Sequence, residues 1–242
     1  MLRLLLAMAL VVLLAPAHAR AGLLPFALDS NQVNILGIDG NLSYTASTGE
    51  LQSTSQALVY APAPNPDNFS FFGPGDTVSV DFFVTQTGAF SSNGAGITIT
   101  GTLDLDGDGT PDVSGTLLTG TFTNFGAQSA GPPTWVSNAL FTVDGGLLTT
   151  DIALSDGGAP FFGGFTLGQQ AGIFLYAESV TNGTLGDFTQ DFGSDSVKSN
   201  VGLVASVPEP ASWIQIATGI AGLGAFLVCK RPRSARSVGR RG

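Results

Sequence analysis

The sequence predicts an all-β domain, built as a β-sandwich or jelly roll, followed by one C-terminal transmembrane helix. Three observations carry this. Across residues 22–206, short runs rich in Val, Ile, Thr and Phe alternate with Gly/Asn/Asp turns, and no helical period is sustained. Sixteen of the 17 Phe residues fall in that span, enough to fill the space between two sheets. Residues 211–229 then form a stretch of 19 without a charge.

At 242 residues the chain has room for one ordinary domain plus targeting segments. Its 43% hydrophobic content supplies a core. Only 11% of residues are charged, against about 25% in ordinary soluble domains. Gly, Ser and Thr take their place and favour strands and turns over exposed helices.

Residues 1–21 read as a secretory signal peptide. Arg3 gives the positive start, and residues 4–15 form an apolar run of 12, too short for a bilayer core of ~30 Å. Pro16 ends the run, and Ala17-His18-Ala19 and Ala19-Arg20-Ala21 offer small-x-small sites. Cleavage after Ala21 leaves Gly22 as the first mature residue.

The domain, residues 22–206, opens with a hairpin over 41–60 that turns at Ser47-Thr48-Gly49-Glu50. Ala61-Pro62-Ala63-Pro64-Asn65-Pro66 is a stiff extended loop. Residues 76–84 alternate polar and apolar until Phe83 breaks the period, and 96–105 alternate with Gly101 in the central inward slot. Residues 138–144, the turn Asp144-Gly145-Gly146, and 147–152 read as a second hairpin. Residues 172–180 are a further strand, and 184–206 lead out of the domain. This spacing favours a sandwich or jelly roll over a solenoid, and there is no clean internal repeat.

The chemistry available to this domain is narrow. The one His, His18, lies in the signal peptide, and the one Cys, Cys229, lies near the C-terminus. That excludes Ser-His-Asp and Cys-His catalysis, thiolate or imidazole zinc sites, and an internal disulfide. Between Gly22 and Val207 a single cation, Lys198, faces 17 of the 18 acids, a net charge of −16. A surface of this sign does not bind nucleic acid through its phosphates.

One constellation stands out, Asp104-Leu105-Asp106-Gly107-Asp108-Gly109-Thr110-Pro111-Asp112. Asp at positions one, three, five and nine with Gly at six resembles the opening of an EF-hand-type or thrombospondin type-3-like calcium loop. Alternate spacing lets Asp104, Asp106 and Asp108 converge on one hard cation. Thr110 supplies a backbone carbonyl, and Asp112 stands at position nine. Position twelve holds Gly115 where a bidentate Glu is usual, which points to weak, structural calcium. A polar Asp/Gly turn is the competing reading. Trp135 and Tyr176 would stack on sugars if exposed, although core positions are their commoner fate.

Residues 207–242 read as a membrane-sorting tail. Residues 211–229 span roughly 28 Å at ~1.5 Å per residue, close to a hydrocarbon core. Trp213 sits at the outer edge, and Gly219, Gly222 and Gly224 thin one face. The basic end, 230–242, holds Lys230, Arg231, Arg233, Arg236, Arg240 and Arg241, and the positive-inside rule places it in the cytoplasm. Pro208 and Pro210 keep the approach to the helix extended.

The string Val207-Pro208-Glu209-Pro210-Ala211-Ser212, then one spanning helix, then an Arg-rich end, resembles the PEP-CTERM sorting signal. The same type of segment is also called an ice-binding protein C-terminal domain. The resemblance covers residues 207–242 and nothing upstream. It implies an exosortase-type membrane enzyme as partner, with Pro208, Glu209 and Pro210 as the sorting motif. It also implies export across the inner membrane, at least transient single-pass anchoring, and a final place at the cell surface or outside the cell, with extracellular polysaccharide as a candidate partner. Ice binding needs long flat Thr arrays, and Thr98, Thr100 and Thr102 make one short one. The expectation is a non-enzymatic surface or matrix protein; the alternative is a secreted hydrolase that cuts surface polysaccharide with a carboxylate pair.

Overall fold

The computed structural model describes residues 22–62, 69–131, 133–154, 157–158 and 160–205. The expected signal peptide, the Pro208-Glu209-Pro210 motif, the expected spanning helix, the basic end and residues 63–66 of the expected proline loop lie outside them. Among the described residues, no helix is long and apolar enough to cross a membrane.

The domain is all-β. Its strands are β1 (Asn34–Thr45), β2 (Glu50–Ala61), β3 (Ser70–Phe71), β4 (Thr77–Val84), β5 (Phe90–Leu103), β6 (Val113–Gly131), β7 (Thr134–Gly145), β8 (Asp151–Ile152), β9 (Phe161–Phe162), β10 (Gln170–Ala177) and β11 (Phe192–Leu203). The period of two is carried directly into burial. In β4, Val78, Val80, Phe82 and Val84 point inward while Thr77, Ser79, Asp81 and Phe83 point outward. Phe83 therefore does not break the period; it is an apolar residue on the outer face.

The expected sandwich or jelly roll is corrected to a closed barrel. Successive antiparallel ladders run β1-β11-β10-β7-β6-β5-β4-β2, and β1 also pairs with β2. Ile35 faces Tyr60 of β2 on one side and Val201 of β11 on the other. A sandwich needs two sheets with free edges, and these eight strands leave none in the ring. The strand that serves both neighbours is bent. Its register shifts around Gly37, Gly40 and Leu42, and Asp39 takes a φ of 51°. Residues 184–206, expected to lead outward, instead supply β11, the closing strand.

The β1–β2 hairpin turns where expected, with Gly49 N–H donating to Thr45 O at 2.8 Å. The second expected hairpin is corrected. β7 contains 138–144 but pairs with β6 and β10, whereas Leu147–Thr149 forms a 3₁₀ turn and β8 pairs with β9. The registers put the connections 61–77, 103–113 and 145–170 at the end where β11 finishes, called here the exit end. The connections 45–50, 84–90, 131–134 and 177–192 lie at the far end.

Aromatic rings fill the interior. Phe82 stands 4.2 Å from Phe122 between centroids, Phe122 meets Phe141 edge-on at 5.8 Å, and Tyr44 stacks on Phe192 at 4.9 Å. Two buried tyrosines fasten the ends. At the far end Tyr44 Oη shares its one hydrogen between Val84 O at 2.9 Å and Phe188 O at 3.2 Å; at the exit end Tyr60 Oη donates to Gly163 O at 2.8 Å. Burial pushes both phenols above their ordinary range, with Asp191 adding to the effect at Tyr44.

Where β1 seals the ring, two inward serines from its neighbours meet. Ser55 Oγ of β2 and Ser199 Oγ of β11 hydrogen-bond at 2.7 Å, although both lie 4% exposed or less. They reach each other over Gly37 of β1. A Cβ there would stand 2.5 Å from Ser55 Oγ and closer still to Ser199 Oγ.

Residues 22–29 lie as a strap along the wall. Asn138 clamps it: Leu24 N–H donates to Asn138 Oδ1 at 2.8 Å, and Asn138 Nδ2 donates to Leu24 O at 2.9 Å. Phe26 packs on Phe174 at 5.1 Å. Ala205 N–H donates to Ala27 O and Asp29 N–H to Leu203 O, both at 2.9 Å. The strap thereby ties the start of the domain to its last strand.

Candidate metal centre

The expected calcium loop is the β5–β6 connection at the exit end. Leu103 closes β5, and Asp112 N–H returns to Leu103 O at 2.9 Å just before β6 begins. The chain between must reverse, and Gly107 and Gly109 do so at φ 78° and 86°, values that favour glycine.

Asp104 organises the reversal. Its Oδ1 accepts Gly107 N–H and its Oδ2 accepts Gly109 N–H, each at 2.7 Å. Asp106 Oδ1 accepts Asp108 N–H at 3.1 Å, and Asp108 Oδ1 accepts Thr110 N–H at 2.6 Å. The result brings Asp104, Asp106 and Asp108 together, with one carboxylate oxygen of each within 4.8 Å of the others. Among the described residues, this is the one acidic group of three close enough to share an ion.

Asp112 has a different place. Its Oδ2 accepts Leu105 N–H at 2.7 Å, across the base of the loop. Gly115, at position twelve, is already in β6 opposite Gly101. A ring of three carboxylates on an open loop suits a hard cation that keeps several waters, as calcium does with six to eight oxygen ligands.

The sugar-stacking candidates divide. Trp135 is 1% exposed and belongs to the core, with its indole 6.1 Å from Phe192. Tyr176 is 37% exposed on β10. Spacing did not single out two further carboxylates, Asp81 and Glu50, on the outer wall of β4 and β2. Asp81 stands opposite Gln52, and Gln52 Nε2 donates to Glu50 Oε1 at 2.9 Å. Desolvation first, and the charge of Glu50 second, push the Asp81 carboxyl above its ordinary range. Two outward positions on neighbouring strands become neighbours only through the ladder, so no local motif announces them.

No family model matches this chain, and neither a curated protein nor a solved structure does so.

Proposed function

We propose that this chain is an exported, non-enzymatic cell-surface or extracellular-matrix protein, delivered to exosortase-type sorting by its tail and steadied by calcium at the Asp104–Asp106–Asp108 loop. The observation that carries the reading is the order along the chain. A closed acidic barrel ends at Leu203, and Val207-Pro208-Glu209-Pro210, the uncharged stretch and the basic end follow directly. The motif thus follows the last strand in the sequence. The clustered carboxylates lie on an exposed turn and are hydrogen-bonded to their own loop, an arrangement that suits holding a cation.

The test is mass spectrometry of both termini from surface, medium, membrane and cytoplasmic fractions of the native host. A chain that begins at Gly22 and ends near Pro210 is the expected result. An intact Arg-rich terminus found only in membranes refutes processing, and a cytoplasmic chain that keeps residues 1–21 refutes export.

The hydrolase alternative rests on Asp81, because a carboxyl raised beside a second carboxylate is what a general acid requires. It predicts polysaccharide cleavage that disappears in both Asp81→Asn and Glu50→Gln. Absence of cleavage by the wild type removes this reading.

A further inference from the structure

Eight large apolar side chains are exposed among the described residues, and they are unevenly placed. Phe69, Phe71, Leu147, Phe162 and Leu167 belong to the exit-end connections 61–77 and 145–170, and Leu36 lies on the wall just inside that end. The other two, Tyr176 and Val180, belong to the far half of the barrel.

Part of this surface runs across the outer wall. Leu36 of β1 stands opposite Val59 of β2, and Val59 stands opposite Phe71 of β3. Phe69 meets Phe71 edge-on at 5.3 Å. The rest lies on the connection 145–170, which leaves β7 and crosses the ring to β2, where Gly163 O accepts Tyr60 Oη. Its backbone is fixed: Phe165 N–H donates to Leu148 O at 3.2 Å, and Gly168 N–H to Val143 O at 2.9 Å. Leu148, Ile152 and Phe165 turn inward and belong to the core. Leu147, Phe162 and Leu167 are exposed, and packing inside the barrel does not account for them.

Phe and Leu gathered on one end of a barrel suit a lipid interface, where the side chains leave water and the backbone stays among the headgroups. Charge selects the lipid. The exit end carries the Asp-rich turn 104–112 and Asp151, while Lys198, the one cation between Gly22 and Val207, pairs with Glu178 at 3.0 Å towards the far end. Anionic headgroups would meet these acids with nothing to offset the repulsion, whereas a zwitterionic headgroup offers them its ammonium. The length of chain beyond the described residues points the same way. Ala205 follows β11, which finishes at the exit end, and the uncharged stretch begins at Ala211, six residues on. Six residues fully extended reach at most ~20–22 Å.

We propose that the exit end of the barrel is a lipid-docking surface, with these six side chains resting in the headgroup and acyl boundary of a zwitterionic bilayer. The proposal rests on the anchored-tail reading for what holds the barrel at that bilayer, and the experiment reads the two separately.

The experiment uses the full chain, reconstituted in EDTA into vesicles of phosphatidylethanolamine and phosphatidylcholine, with and without bromine on the acyl chains. Bromine quenches an indole that enters the lipid. Of the two native tryptophans, Trp213 reports the tail, and Trp135, 1% exposed in the core, is a constant background. Docking is read in a Trp213→Phe background by Phe71→Trp and, separately, by Leu167→Trp; these positions are 62% and 60% exposed, so the larger ring is accommodated at either. Each added indole should lose at least about half its emission in brominated vesicles, since interfacial side chains lie ~5–10 Å into the headgroup and acyl boundary. Adding Leu147→Ser and Phe162→Ser should return most of it. No loss at either position while Trp213 of the wild-type chain is quenched overturns docking and leaves the tail reading standing. Loss at position 71 or 167 with Trp213 unquenched supports docking and sinks the tail reading. Full emission at all three positions overturns both. An equal loss in phosphatidylglycerol vesicles overturns the lipid class. A dimer that Phe71→Ser breaks, with no quenching at position 71, makes the occupant a second copy and also overturns the proposal.

Discussion

Replacing Gly37 with Ala tests whether the Ser55–Ser199 pair seals the barrel. The backbone at Gly37 is not among those with positive φ, so the cost of a methyl group there is contact and not strain. The added carbon would stand 2.5 Å from Ser55 Oγ and closer to Ser199 Oγ, where real Cβ atoms essentially never approach under 3.0 Å. Both hydroxyls must turn away and lose their 2.7 Å bond inside the barrel. Each buried hydroxyl left without a partner costs about 1–3 kcal/mol, and the stiffer unfolded chain returns about 0.4–1 kcal/mol. The net loss is about 1–5.6 kcal/mol, a fall in melting temperature of roughly 2–22 °C for a domain of this size. Urea titration read by near-ultraviolet circular dichroism measures it directly. The same substitution in a Ser55→Ala/Ser199→Ala background should cost much less, because no hydroxyl remains to be orphaned. A Gly37→Ala protein within about 0.5 kcal/mol of wild type, or an equal loss in both backgrounds, refutes the reasoning.

Calcium at about 10 mM should raise the melting temperature by roughly 3–6 °C if the loop binds near 1 mM, and Asp106→Asn with Asp108→Asn should abolish the gain; equal melting in calcium and EDTA counts against the site. Asp81→Asn should stabilise the barrel at neutral pH. Its carboxyl is raised in the fold, so ionisation there opposes folding above the folded pKa, and the gain should vanish as pH falls below the ordinary value of 3.8. Thermal melts from pH 3 to 8 check this, and a gain that persists at the acid end contradicts it. Asn138→Ala removes both clamps on Leu24 and should cost about 2–4 kcal/mol while freeing amides of residues 24–29 to exchange; hydrogen exchange that stays slow there would show that the strap does not depend on the clamp.

The strands legible in the sequence are those whose inward positions are apolar. β4 and β5 carry Val78, Val80, Ile97 and Ile99 at alternate places, and β10 carries Ile173 and Leu175. Closure was not legible, because the strand that achieves it is disguised. β11 reads FGSDSVKSNVGL, and its inward face includes Ser199 between Val197 and Val201. Its polarity makes sense only beside Gly37 and Ser55, which belong to other strands. Similar dilution hides β6, where Gly120 takes an inward place against Phe141. The acidic loop was legible because its three carboxylates lie within five residues. Asp112 was assigned to the same set by spacing, yet the hairpin base claims it. An open hollow at the far end was not legible at all, since its lining comes from residues near 86–90, 124–129 and 185–189.

Closure through β11 has a consequence for how the protein is made. Synthesis runs from the first residue to the last, so β1 emerges early with one partner in hand, β2, and its other edge open. That edge stays open until residues 192–203 appear, after nearly the whole domain has been produced. The strap waits as well, because Ala27 and Asp29 bond to Ala205 and Leu203. Contacts between such distant segments make folding slow and leave strand edges exposed in the meantime. A nascent chain halted before residue 192 should therefore remain digestible by protease, and the domain should become resistant in one step once the final strand is free.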